Sequence, residues 1–172
     1  MINLLNRKTI IEKNLCGTTK IFGEVFTIEV MYNKIVNPEL NLCGKRIVIN
    51  LPNRYKKIGN FDIIKVALEK MYDEIAKIEI ENAMEETRIM LNGLAPENFE
   101  IKRISNKLAK TLKNGTIIIN PDIVKYNKDV LRYVLLFEFC HLKYKTPCKK
   151  FWNMIEKYMP YYEKYESITN AA

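Results

Sequence analysis

The sequence predicts an α+β protein in which helices pack on a small, mostly antiparallel sheet. Three observations carry this. Segments at 22–32, 47–51, 99–104 and 115–120 alternate or are rich in β-branched residues, as strands do. A single long segment, 61–92, has apolar residues three and four apart, as a helix does. Two shorter helical segments close the chain. At 172 residues, with 48% hydrophobic and 28% charged residues, the chain is the size of one domain and large enough for a core. We therefore expect a single domain over 1–172: an N-terminal strand region at 1–60, a long helix at 61–93 and a core at 98–162.

Residues 1–20 show no sustained period and read as a lead-in with a short strand or helix. Phe26, Ile28, Val30 and Tyr32 then alternate with Thr27, Glu29 and Met31. Ile47, Ile49 and Leu51 repeat the pattern after the turn-rich stretch Asn37–Asn41, so both belong to one sheet. The tetrapeptide Asn-Leu-Cys-Gly at 14–17 and 41–44 marks two turns. In the long helix, Ile64, Leu68, Met71, Ile75 and Ile78 form the apolar stripe, Gly93 caps the C-terminus and Pro96 forbids continuation. Phe99–Ile104 and Gly115–Asn120 suggest a hairpin, ended by Asn120-Pro121. Asn127 or Asp129 can cap the next helix, which runs to about Tyr144 over Val130, Val134, Leu135 and Leu142. Thr146-Pro147 reads as the start of a last helix with Phe151, Trp152, Ile155, Tyr158 and Met159 inward. The tail from Glu163 is polar and expected to fray.

Composition limits the function classes. No apolar run approaches the ~20 residues a membrane helix needs, and the opening Met1-Ile-Asn-Leu-Leu is too short for a signal peptide core. A cytoplasmic location and no membrane partner are expected. Cys16, Cys43, Cys140 and Cys148 form no C-x-x-C pair, so free thiols are expected. The net charge of +8 favours acidic partners or phosphate backbones if it gathers on one face.

The chemistry centres on Phe137-Glu138-Phe139-Cys140-His141. In H-E-x-x-H, two histidines on one helix face bind zinc and the glutamate activates the zinc-bound water. Glu138 and His141 stand where the glutamate and second histidine belong. Phe137 stands where the first should be, and a benzyl ring has no lone pair for a metal.

The longer stretch Tyr133-Val134-Leu135-Leu136-Phe137-Glu138-Phe139-Cys140-His141-Leu142, followed by Phe151-Trp152, resembles the YgjP-type metallopeptidases, relatives of the SprT-like zincins. The spacing from His141 to Phe151-Trp152 agrees without a gap, and Tyr158-Met159-Pro160-Tyr161 resembles the family's ending. A family W-G-S-C loop corresponds to Leu108-Ala109-Lys110-Thr111, ahead of Gly115–Asn120. The resemblance covers Ile101 to Tyr162 and is compatible in element order from Phe22 to Asn98. It implies a zincin-like fold with a long central helix, an active-site-type helix and a C-terminal helix. In the family, three histidines hold zinc beside a glutamate base. Here Phe137 takes the place of the first zinc histidine, Pro147 that of the third, and the W-G-S-C tetrapeptide is absent. His141 is the only histidine of the chain, which forbids a three-histidine site.

The resemblance therefore implies a pseudo-peptidase that binds a peptide or protein, with Glu138 a vestigial general base and His141 a vestigial ligand. No cofactor is expected, and zinc only if Cys148 joins Glu138 and His141 as a substitute ligand. That mixed set defines the alternative, a metal-dependent hydrolase with altered ligands. A further alternative is a nucleic-acid-associated accessory protein, since Lys102, Arg103, Lys107, Lys110 and Lys113 crowd around the hairpin as a basic surface.

Overall fold

The computed structural model describes residues 14–57 and 61–169. It has α+β architecture. The chain divides after Thr19, after Glu24 and after Leu68 into two compact units.

Most of the first unit is a four-stranded sheet of β1 (Asn14–Ile21), β2 (Glu24–Asn33), β3 (Glu39–Cys43) and β4 (Arg46–Pro52), in the order β1-β2-β4-β3; the adjoining ends of β1 and β2 fall in the Lys20–Glu24 stretch, which belongs to the second unit. The alternating residues meet as expected: Ile28 lies opposite Ile47, Val30 opposite Ile49, and Tyr32 opposite Leu51. Ile28, Val30, Ile47, Ile49 and Leu51 are buried, so the period-two signal marks the face that leaves water. Gly44, at φ 60°, allows the tight turn from β3 to β4. β4 then inserts beside β2 in parallel. Of the two Asn-Leu-Cys-Gly stretches, only the second leads into a turn; the first lies within β1.

The second unit repeats this local topology. β5 (Asn98–Ile101), β6 (Ala109–Thr111) and β7 (Thr116–Ile119) form a sheet ordered β5-β7-β6. β7 pairs in parallel with β5 and antiparallel with β6. The expected hairpin between 99–104 and 115–120 is thus corrected. The partner of the hairpin is β6, in the stretch read as a polar loop, and the one mostly antiparallel sheet is two small sheets of mixed direction.

Helix α1 (Phe61–Met90) is the long helix, and it buries Met71, Tyr72, Ala76, Ile80, Ala83, Met84 and Thr87. Ile78 is not in this stripe: it is 62% exposed. Gly93, at φ 88°, donates its N–H to Arg88 O at 2.9 Å and closes the C-terminus as the sequence predicts. Helix α2 (Lys128–Lys143) follows a short 3-10 turn at Pro121–Lys125. Asn120 Oδ1 accepts the Asp122 N–H at the head of that turn, while its Nδ2 donates to Ile104 O and Lys107 O at 3.0 and 3.2 Å. One side chain thereby fixes the loop that leads into β6.

Helix α3 (Lys149–Tyr158) starts later than Thr146-Pro147 suggested, with Cys148 at its N-cap and no side-chain cap bond. The tail from Glu163 is not frayed throughout, because α4 (Glu163–Thr169) forms and buries Tyr165. Of the lead-in at 1–20, residues 1–13 lie outside the described residues.

Candidate functional site

α2 is placed firmly. Asn127 Oδ1 accepts the Val130 N–H at 2.9 Å, and the Tyr144 N–H closes the other end on Cys140 O at 2.8 Å. Nine of its residues are buried, from Val130 to Cys140. Glu138 is one of them, and Phe137 and His141 sit one turn apart on a half-buried face.

At the position where a first histidine would stand, Phe137 belongs to a run of aromatic rings. Its ring centroid is 4.9 Å from His141, 5.1 Å from Phe151, 5.9 Å from Tyr133 and 6.0 Å from Trp152. His141 lies 4.8 Å from Phe151. The Phe137 contacts to His141 and Phe151 are edge-on, the arrangement that ring quadrupoles favour. Trp152 stacks on Tyr162 at 5.4 Å, and Tyr162 on Tyr133 at 6.4 Å. His141 Nδ1 is 3.2 Å from Tyr144 O. A carbonyl can only accept, so Nδ1 carries the proton in that bond.

Glu138 is 7% exposed, and its Oε2 accepts the Thr111 hydroxyl at 2.6 Å. The same hydroxyl is 3.1 Å from Glu138 O, so Thr111 ties β6 to α2 at one point. Burial holds the Glu138 carboxyl above the usual carboxylate range, opposed in part by the Thr111 hydroxyl, then by His141, the Thr111 N–H and Lys107. The Cys140 thiol is fully buried and pushed up to about 12 by desolvation, which makes it a packing group.

Beside β6 lie two depressions, of about 350 and 510 Å³, that share Lys107, Ala109, Phe137 and Glu138. They form one cleft along the strand. β6 is an edge of its sheet. Asn120 N–H bonds to Leu108 O and Leu112 N–H to Thr116 O, so in the alternating antiparallel ladder Ala109 and Thr111 direct their main-chain groups away from β7.

The structure separates the expected basic residues. Lys107, Lys110 and Lys113 line the cleft together with Lys145. Lys102 and Arg103 line a different groove with Asp73 and Lys77, where Arg103 pairs with Asp73 at 2.8 Å. Pro147 and Cys148 are exposed and line neither depression of the cleft. Among the described residues, no three His, Cys, Asp or Glu side chains come together as metal ligands would, so Glu138, His141 and Cys148 are not assembled into a ligand set. The sequence reading missed Thr111 as the partner of Glu138 and missed the aromatic contribution of Tyr162 and Tyr165. The alignment of Thr111 with the end of the W-G-S-C loop was the available signal for the first.

A helix carrying Glu138 and His141 beside an edge strand has the build of a metallopeptidase-like domain. The chain matches the family described as YgjP-like, metallopeptidase domain, over residues 6–172, and it belongs to that family. No curated protein matches. Among solved structures, it is similar to the metallopeptidase zymogen of Pyrococcus abyssi abylysin, with 26% identity and a TM-score of 0.47 over 52% of this chain and 90% of that one. It is also similar to the metallopeptidase zymogen of Methanocaldococcus jannaschii jannalysin, with 28% identity and a TM-score of 0.46 over 52% of this chain and 91% of that one. No helix among the described residues is long and apolar enough to cross a membrane.

Proposed function

We propose that this chain is a pseudo-peptidase: a YgjP-like domain whose zinc site no longer forms and which binds an extended peptide segment of a partner instead of cutting it. The observation that carries this reading is the aromatic packing of Phe137 against His141 and Phe151. Zinc in this family needs donors at the positions of Phe137 and Pro147. One is an aromatic ring within the packed cluster, and the other is an exposed proline with no donor in its side chain. The family's metal therefore does not fit the residues present, and no catalytic step is assigned to it.

Glu138 acquires a different task. A general base needs a water to deprotonate and access to it; this carboxylate is buried and engaged with Thr111, where it joins α2 to β6. Binding is favoured by the cleft beside an edge strand, because a peptide can add to outward main-chain groups and place alternate side chains in adjoining depressions.

Metal content of tag-free protein purified without chelator tests the loss of zinc. Far less than one zinc per chain is expected. Stoichiometric zinc that disappears in His141→Ala overturns the proposal. In the double variant Phe137→His with Pro147→His, zinc uptake is the expected gain if only the donors are missing.

A further inference from the structure

Among the described residues, four lysines gather in one depression along β6. Lys107, Lys110, Lys113 and Lys145 line this depression of the cleft, where the only acidic side chain is the buried Glu138; Glu166 lines the adjoining depression, beside Lys107. Among the described residues, none of the four has a carboxylate within ion-pair distance. Other lysines of the unit, such as Lys102, Lys143 and Lys150, likewise lack an ion pair among the described residues, so it is the gathering of four in one depression that matters; the pairs that do form lie elsewhere. Arg103 meets Asp73 and Asp122, Lys125 meets Asp122, Lys128 meets Glu79 at 2.8 Å, and Arg132 meets Asp129 and Glu86. Unmatched like charges in one cleft repel each other and are relieved by an anionic occupant.

The shape of the cleft narrows the class of anion. The outward main-chain groups of Ala109 and Thr111 suit a partner with its own strand-like hydrogen-bonding edge, which a peptide has and a nucleic acid lacks. The Thr111 N–H already leans toward the Glu138 carboxylate and Ala109 is only 7% exposed, so the pairing falls chiefly to the carbonyl of Thr111, with the lysines supplying the rest of the recognition. Lys107, Lys110 and Lys113 recur at three-residue intervals along this edge and its flanks, close enough together to meet acidic side chains spaced along one extended segment.

We propose that the cleft selects acidic peptide segments: an extended stretch rich in Asp or Glu lies along β6 with its carboxylates on Lys107, Lys110, Lys113 and Lys145. This rests on the peptide-binding reading above and adds its partner class.

The test uses the full chain and fluorescence anisotropy with three labelled probes: a peptide of alternating Glu and Thr, its Gln-Thr counterpart, and an oligothymidylate of equal charge. The Glu-Thr peptide is expected to bind, with affinity falling as salt rises, and the Gln-Thr peptide to bind at least about tenfold more weakly, as loss of several exposed charge pairs gives. The triple variant Lys107→Gln, Lys110→Gln, Lys113→Gln should lower affinity for the acidic peptide by about the same factor. Lys102→Gln, in the other groove, should leave it unchanged. Equal binding of both peptides overturns the acidic selectivity while the peptide-binding reading stands. Oligothymidylate binding as tightly as the acidic peptide overturns it in favour of a general polyanion site. Failure of both peptides sinks the peptide-binding reading together with this one, whatever the zinc measurement gives.

Discussion

Replacing Phe137 by alanine measures how far the aromatic cluster holds this part of the molecule together. Four rings meet Phe137 at centroid distances between 4.9 and 6.0 Å. Truncating a fully buried phenylalanine costs about 3–5 kcal/mol. Because Phe137 is only half-buried, water can fill part of the space, and we expect a loss of about 2–3 kcal/mol. For a chain of this size that corresponds to a fall in Tm of roughly 5–10 °C. The assay is urea unfolding followed by the emission of Trp152, the only tryptophan of the chain and a direct neighbour of Phe137. Emission should also shift in the folded variant as the indole gains solvent. Ile78→Ala on the exposed face of α1 is the control, with an expected change within about 0.5 kcal/mol. A loss below about 1 kcal/mol for Phe137→Ala, with unchanged folded-state emission, refutes the view that Phe137 replaces a ligand by packing.

Three further predictions follow from the same region. Glu138 has its carboxyl raised in the folded state, so its contribution is most favourable at acid pH and is lost as pH rises through the folded value; Glu138→Gln, which keeps an acceptor for Thr111, should remove that dependence and gain stability over wild type toward neutral pH. Urea midpoints across the acid-to-neutral range check it, and a variant that gains most at acid pH contradicts the sign. Asn120→Ala removes an acceptor at the 3-10 turn and two donor bonds to the loop before β6, which should cost about 2–3 kcal/mol and increase hydrogen exchange at Lys107–Thr111. Brief alkylation of the native protein, read by peptide mass, should label Cys43 and Cys148 and spare Cys140, whose buried thiol is pushed up to about 12; early labelling of Cys140 contradicts its packing.

Much of the fold could be read from periodicity, because burial selects residues at the repeat of the element. The β2 and β4 alternation, the Asn127 cap and Gly93 at the end of α1 all correspond to structure for that reason. Pairing direction was not readable, since a parallel and an antiparallel strand alternate alike; this is why β5 and β7 read as a hairpin. β6 escaped notice because three residues are too few for a period, and Lys110 interrupts them. Ile78 shows the opposite error, an apolar residue at helical spacing that faces solvent. At the site, the residue types at 137 and 147 were legible, but the surroundings of Phe137 and Glu138 depended on chain segments far away in sequence. Thr111 reaches Glu138 across 27 positions, and Tyr165 reaches Tyr133 from a tail that looked polar. Side-chain types alone also could not sort Lys102 and Arg103 from Lys107, which lie close in sequence and face different grooves.

The short lysine-flanked edge at β6 also governs what the protein refuses. An open strand edge is a template on which a second copy of the same chain can stack, and such stacking leads to aggregates. Here a second copy would bring its own Lys107, Lys110 and Lys113 to the seam, where like charges would meet at strand spacing. With only Ala109–Thr111 to pair, the main-chain bonds gained are too few to offset that repulsion. On the acidic-peptide proposal, the edge that accepts a segment of opposite charge disfavours a second copy of itself, and both effects come from Lys107, Lys110 and Lys113.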